Sequence, residues 1–381
     1  MSPETHYDAI VVGGGVVGAS CAWHLRDAGV EDVLLLEKDS PASKATGRAA
    51  GHLSTYTSRK FDPSIRRYSI DFHRRLAASH DAVSLREDVD HVFARSEEGR
   101  RRLESLAERD PERFSLTTGE ELSRAGTAFN TEGNPAVLVY DGAVHTDPYS
   151  LTTALVSEAE AEGVTLRLEA VRDLAATDDG LAVETAAATY GAPVVVNAAG
   201  AWSGRVASML GVSLPVKPRT SQIAVLEPAE PVEVPMFHCP DVGLYGRQEL
   251  NGDVLVGGGV DEEIPDPDEF STAAREAFLQ YVAEQSRSIA EPLDEAGLVN
   301  DWAGRCTATP DRRPLVGPTD VEGFYVCTGF NGGGVARSPF AGRMIAEYVT
   351  DEEHTFPREP YDPTRFPDDV SFDVRSASTD W

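Results

Sequence analysis

Lysine is nearly missing from this chain of 381 residues. Only four of its 34 basic residues are Lys (Lys38, Lys44, Lys60 and Lys217), and 63 acidic residues bring the net charge to −29. A surface this acidic repels phosphate backbones and anionic headgroups, which excludes nucleic acid and charged membrane as partners. It suits a salt-rich cytoplasm, where screening shortens the reach of self-repulsion, so a halophilic source is expected. Long apolar runs are also missing. None approaches the roughly 20 residues that cross a bilayer, and no basic segment followed by an apolar one opens the chain, so a soluble, cytoplasmic protein is expected. Cysteine is scarce: Cys21, Cys239, Cys306 and Cys327 include no C-x-x-C pair. That spacing excludes the common zinc and dithiol motifs, and no metal site is expected. Cys21 and Cys327 fall in an apolar helix and strand and read as small core residues. No internal repeat is present.

What the chain does have is concentrated in Tyr7 to Glu37. A short apolar strand (Tyr7 to Val12) meets Gly13-Gly14-Gly15-Val16-Val17-Gly18. A helix then runs to Ala28 and stops at Gly29, and a second apolar strand, Val33 to Leu36, ends in Glu37. This is the dinucleotide-binding βαβ pattern. Gly13 allows the turn, Gly15 lets backbone approach a pyrophosphate, and Gly18 lets the helix pack on the strand. Phosphates would sit on the unpaired N–H groups of the helix start, around Val17. Glu37 is placed to accept from ribose hydroxyls. The bland alternative is a chance glycine turn, which leaves the flanking strand, helix and acid unexplained.

The run Lys38 to Leu53 is rich in small residues. Small side chains admit something flat and bulky, and Ser43, Thr46 and Arg48 can donate to phosphate; a small-residue helix packed on the sheet is the alternative. Helices are expected over Ile65 to His80 and Glu97 to Glu108, and strands over Asp90 to Ala94 and Val137 to Tyr140. Asp147-Pro148 reads as an N-cap followed by Pro at the first helical position, with the helix ending at Gly163. Strands follow over Val164 to Leu168, Ala170 to Ala175 and Leu181 to Glu184. Pro193 to Gly200 is a buried strand ending in a second small-residue turn at Ala199 and Gly200, with Trp202 beyond.

From Val216 the pattern turns antiparallel: Gln222 to Leu226, Val242 to Gln248 and Val254 to Gly258, with a hairpin at Glu249 to Gly252. A helix follows over Ala273 to Arg287. The chain returns at Asp301, and Phe324 to Thr328 is a core strand. Gly332, Gly333 and Gly334 then form a nest of backbone donors at a strand-to-helix junction, flanked by Asn331 and Val335. The reading is an α/β fold in which residues 1–75, 146–215 and 299–350 bind the dinucleotide, with a substrate domain inserted as 76–145 and 216–298. The acidic tail, 351–381, is expected to be poorly ordered unless docked.

These blocks, in order, resemble the FAD-dependent amine and amino-acid oxidoreductases of the D-amino-acid oxidase superfamily, which includes sarcosine oxidases, glycine oxidases and dimethylglycine dehydrogenases. The matching residues are Gly13 to Gly18 with Glu37, Thr46-Gly47-Arg48-Ala49-Ala50-Gly51, Asp147-Pro148, Val195 to Trp202, Tyr245 with Arg247, Thr309-Pro310-Asp311 with Pro314 and Gly317, Gly329 to Gly334, and Tyr361 to Phe366. The resemblance implies a Rossmann-like FAD domain of the glutathione-reductase type, with an α+β substrate domain built on an antiparallel sheet. It implies FAD with its adenine near Glu37, Lys38 and Val171. The pyrophosphate would lie on Gly13 to Gly18, near Ser43, Thr46 and Arg48. The ring would lie between Gly51-His52 and Gly332 to Val335.

The implied reaction takes hydride from the carbon bearing an amine to the flavin, and the imine then hydrolyses. A carboxylate on the substrate calls for an Arg fork. Arg247 and Arg305 are the candidates, with Tyr245 as a further donor and His52 to hold or deprotonate the amine. Each Arg, Arg219 included, has a structural ion pair as its alternative, and His52 has a flavin contact without a proton role.

Three departures from the family stand out. Where many relatives have Arg or Tyr, this chain has Cys306, and where covalently attached flavins use Cys it has Gly304, so non-covalent FAD is expected. Ala336, followed by Arg337, replaces a carboxylate-holding Lys. Leu255 replaces a Lys that assists oxygen. Oxygen and a carrier protein both stay open as electron acceptor. A flavin-bearing subunit of a heteromeric complex is the alternative function, and homo- and hetero-oligomers are both compatible. A plain NAD-binding dehydrogenase leaves Thr46 to Gly51 and Gly332 to Gly334 unexplained.

Overall fold

The computed structural model describes residues 3–53, 62–258, 262–367 and 369–374; Lys60 and the end of the tail lie outside them. Its centre is a six-stranded sheet in the order β17 (Leu315–Pro318), β18 (Phe324–Thr328), β11 (Val194–Asn197), β2 (Ala9–Val12), β3 (Val33–Glu37) and β7 (Thr165–Leu168). All neighbours pair parallel except β17 with β18. Such a sheet is covered on both faces, so its strands read as unbroken apolar runs. Alternation assigns the faces. Ala9, Val11, Val33 and Leu35 join the core of the helical layer, while Ile10, Val12, Leu34 and Leu36 pack on the other side. Burying a Leu-sized side chain stabilises by roughly 1.5–3 kcal/mol, so β3 is held from both faces.

The helical layer consists of α1 (Val16–Asp27), α2 (Pro63–Ser79), α5 (Pro148–Ala161) and α8 (Gly334–Val349). Helix α1 can lie close on the strand because its third glycine has no side chain: a Cβ on Gly18 would stand 1.8 Å from the Gly13 carbonyl. Asp147 caps α5, its carboxylate accepting from Ser150 N at 2.8 Å, as Asp-Pro predicts. The opposite face carries a four-stranded sheet in the order β1 (Thr5–His6), β10 (Thr189–Ala192), β9 (Gly180–Glu184) and β8 (Asp173–Thr177). The strand expected from Ala170 begins at Asp173 instead. Val171 belongs to the connection that leaves the central sheet, because the ladder starts only at Asp173, opposite Glu184.

The second large unit is an eight-stranded sheet in the order β16 (Gly297–Ala308), β12 (Lys217–Glu227), β15 (Val254–Gly258), β14 (Leu244–Gln248), β13 (Met236–Cys239), β4 (Leu85–Ala94), β6 (Ala136–Thr146) and β5 (Phe114–Thr117). Helix α7 (Glu276–Ile289) packs Phe278 and Val282 against Ala224, Leu226 and Val256. Helix α3 (Glu97–Arg109) covers the β4–β6 end, and α4 (Gly119–Ala125) and α6 (Ser203–Ser208) are short. On β12 the alternate residues Ile223 and Val225 face the other way, toward Ala50 and Leu255.

Two of the expected domain limits, 75 and 299, fall inside secondary-structure elements. Position 299 falls inside β16, which pairs with β12 as far as Ala308. Position 75 falls inside α2, whose Ile65, Phe72 and Leu76 all enter the core of the helical layer. The tail is docked over its described part. Phe356 and Tyr361 join the same core, and Arg365 Nη2 and Nε donate to Asp311 at 2.9 and 3.1 Å. Among the described residues no helix is long and apolar enough to cross a membrane.

Candidate active site

Three turns from distant parts of the chain open into one cavity of about 610 Å³ between the two large sheets: Gly13 to Gly15 after β2, Ala49 to His52, and Gly329 to Gly334 between β18 and α8. At the first turn, α1 starts on Gly15, which brings no side-chain cap of its own, and Gly15, Val16 and Val17 line the cavity. Thr46 Oγ1 accepts from Val16 N at 3.2 Å, and Ser43 Oγ is buried without a partner among the described residues. Glu37 is held from behind, accepting from Gly14 N at 2.7 Å and Asp39 N at 2.9 Å. Val17, Lys38, Val171, Ala199, Gly200 and Trp202 complete this end.

The Lys38 ammonium lies 3.5 Å from the Trp202 ring centroid. Asp268, from the substrate-domain side, accepts from Trp202 Nε1 at 2.8 Å and from Arg205 Nη1 at 2.5 Å. Those donors hold the Asp268 carboxyl down at about 2. Gly18 and Gly47 do not line the cavity. Gly18 acts only through helix packing, and Gly47 faces a separate pocket with Tyr149 and Trp302.

The far end of the cavity is built by the second turn and the eight-stranded sheet. Gly51 has φ +78°, and a Cβ there would meet the Thr146 carbonyl at 1.8 Å. Thr146 N donates to Gly51 O and Leu53 N to Val144 O, at 3.0 and 2.9 Å. This stitching to β6 carries His52 under the sheet. Above it Ile223, Gly257, Tyr245 and His238 stand in register across four strands. The His52 ring meets Tyr245 and His238 edge-on at 5.2 and 5.6 Å. Burial foremost, then the nearness of His238, Arg247 and His145, pushes the His52 pKa well below its ordinary value. His52 is therefore neutral at pH 7, and its Nε2 has no partner among the described residues.

The arginines sort differently from the sequence reading. Arg247 does not line the cavity. Its Nε donates to Ala50 O at 2.8 Å and its Nη2 pairs with Glu249 at 3.0 Å, so it props the second turn from outside. Arg305 lines the cavity, but its guanidinium packs on Phe270 and Trp202, at 4.6 and 5.2 Å from the ring centroids, on the Lys38 side. Burial, then Arg48, lowers its pKa. Arg219, named in the sequence reading with a structural ion pair as its alternative, does line the cavity. It is 1% exposed, lies opposite Cys306 in the β12–β16 ladder, and donates from Nη2 to Asn331 O at 3.0 Å. Arg337 also lines this end, its pKa lowered to about 10 by burial.

The lining carboxylates among the described residues are Glu37, Glu169 and Asp268. Asp268 stands on Trp202, Glu37 on the first turn and Glu169 next to Val171. His238 and its partner Asp90 were missed, because β13 gave no strand signal. The visible clue was alternation on β12, which puts Arg219, Ser221 and Ile223 on one face.

A family model described as FAD dependent oxidoreductase matches residues 8–348. The chain belongs to this family. Mitochondrial dimethylglycine dehydrogenase of Homo sapiens is 30% identical over 408 residues, covering 96% of this chain and 45% of that protein; the chain thus spans about half the length of that relative. Glycine oxidase of Geobacillus kaustophilus is 25% identical over 377 residues, covering 95% of this chain and 98% of that one. In fold, this FAD-dependent oxidoreductase superposes on the crystal structure of that glycine oxidase with a TM-score of 0.84 (22% identity, 95% of this chain, 100% of the other). It superposes on L-proline dehydrogenase from P. horikoshii with a TM-score of 0.85 (24% identity, 96% and 98%).

The cavity suits FAD, the cofactor of the family. The helix start at Gly15 to Val17 and the buried Ser43 hydroxyl, which has no partner among the described residues, fit a pyrophosphate, and Glu37 fits a ribose. The cation-rich nest at Gly332 to Gly334 fits the electron-rich edge of the ring.

Proposed function

We propose that this FAD-dependent oxidoreductase oxidises the C–N bond of a small amino acid or secondary amine, and that the resulting imine hydrolyses in water. FAD, when bound, accepts the electron pair of the C–H bond. The observation that carries the reading is that Arg219, 1% exposed, lines the same cavity as neutral His52 and Tyr245. A buried guanidinium there is matched by a substrate carboxylate, and a charge-assisted pair of this kind orients the amine-bearing carbon. His52 and the Tyr245 ring wall off water without adding charge. FAD is held without a covalent bond, since Gly304, where a Cys would attach the flavin, has no side chain to offer.

A carrier protein is the favoured electron acceptor. The position where a Lys could assist oxygen is Leu255, 1% exposed and packed on Ala50 and Ile223. The heteromeric-subunit alternative differs only in where that carrier binds.

The test is a panel of glycine, sarcosine, dimethylglycine and both enantiomers of proline and alanine, added anaerobically while flavin absorbance is followed. Bleaching by a carboxylate-bearing amine, with slow reoxidation in air, is expected. A visible spectrum untouched by every compound would overturn the reading. Acid precipitation is expected to leave the yellow colour in the supernatant.

A further inference from the structure

His238 sits on β13 with its ring stacked on Tyr245 (5.9 Å between centroids, 26° between planes) and edge-on to His52. Its Nδ1 is 2.9 Å from Asp90 Oδ1, and Asp90 is 1% exposed. The ring itself lines the cavity. We propose that His238, held by Asp90, takes the proton from the substrate's ammonium group, and that Asp90 is the residue that positions it. This rests on the amine-oxidation reading above.

The chemistry requires an acceptor. An amine carrying a proton has no lone pair to form C=N while its C–H electron pair leaves. The balanced step moves one N–H proton to His238 Nε2 and leaves the nitrogen lone pair free. The C–H pair then departs to the oxidant that the reading supplies, and C=N forms. His52 is poorly suited: desolvation, then His238, Arg247 and His145, all disfavour a positive charge on it. His238 has the opposite setting. Its hydrogen bond fixes the tautomer with the proton on Nδ1, because a carboxylate can only accept, and this leaves Nε2 as the base. Once protonated, the imidazolium is balanced by a carboxylate that has almost no water to share its charge with.

Among the described residues, the charged and titratable groups around the pair are these. On β4, Asp88 lies beyond Asp90, pushed up by burial and 4.0 Å from His145 on β6. His91 stacks on Phe93 and Phe129 in the core on the other side of the strand. On β14, Tyr245 shares the face and Arg247 is tied to Glu249. His52 lies beneath.

The experiment measures the anaerobic flavin-bleaching rate against pH for the unaltered enzyme, H238Q and D90N, using the most active compound of the panel. Unaltered enzyme is expected to rise with pH to a plateau. H238Q is expected to be about a hundredfold slower at pH 7 and to gain about tenfold per pH unit until the substrate's own amine ionises. The isosteric D90N is expected to move the rising limb to lower pH, with a lower plateau, because its His is a weaker base. Binding of trimethylglycine, which has no N–H proton, is read from the flavin spectrum and is expected to be the same within about twofold in all three.

Profiles that stay parallel to the unaltered enzyme, however lowered, would overturn the proposal and leave the reading standing, as would trimethylglycine binding that falls together with the rate. If H238Q fails to retain FAD, D90N alone decides. If no compound bleaches the unaltered enzyme at any pH, the reading falls and takes the proposal with it.

Discussion

The ring of Tyr245 fills the space in front of Gly257: a Cβ on Gly257 would lie 2.6 Å from both Tyr245 Cζ and Oη. The two residues pair directly across β14 and β15, so the aromatic wall of the cavity lies flat only because its neighbour has no side chain. Gly257→Ala forces the ring inward. The expected result is a loss of roughly tenfold or more in kcat/KM, about 1.4 kcal/mol, with FAD content unchanged. Steady-state kinetics beside the flavin-to-protein absorbance ratio checks it, and an unchanged kcat/KM would count against the ring's role.

Arg219 and Arg305 separate by what each holds. Replacing the fork with a point charge in Arg219→Lys is expected to raise KM for a carboxylate substrate by roughly 30-fold, near the 2 kcal/mol of a charge-assisted hydrogen bond. Arg305→Ala is expected to leave KM within about twofold and to speed FAD loss on dilution, because its guanidinium packs over Trp202 and Phe270. The reverse pattern would restore Arg305 as the carboxylate clamp.

Three buried histidines set an acid limit on stability. Burial holds His24 at about 3, and His73 and His145 at about 4. Unfolded, each takes a proton near pH 6.5. Between that value and about 4 the unfolded chain binds more protons, so stability falls as pH falls. Each site costs about 1.4 kcal/mol per pH unit below 6.5, so the three together give about 4 kcal/mol between pH 7.5 and 5.5. Urea midpoints at the two pH values measure it. His24→Gln, which loses the proton-linked term but can still bond Tyr68, is expected to flatten the slope by about a third.

We propose that the charge of −29 makes stability depend on salt. Raising KCl from about 0.1 to about 1 M shortens the Debye length from roughly 10 to 3 Å, and the melting temperature is expected to climb across that range. Full stability in dilute buffer would remove the halophilic reading.

The parts legible in sequence are those governed by neighbours along the chain. The βαβ unit, the Asp147 cap and the hairpin at Glu249 to Gly252 need only local turn chemistry and alternation. Arg247 and Arg219 show where that stops. Both lie on strands with residues that face the cavity, but Ala50 and Glu249 turn Arg247 outward, while Asn331 draws Arg219 in. None of these partners is recognisable from the Arg's own surroundings in the sequence.

Sequence alone determined the βαβ unit with its glycine turn, because strand, glycines, helix and acid act within 31 residues, Tyr7 to Glu37. Only the tertiary structure decided which side chains gather at the far end of the cavity. His52, Tyr245, His238 and Asp90 come from four segments, and strand register, set by the packing of two sheets against each other, is what makes them neighbours.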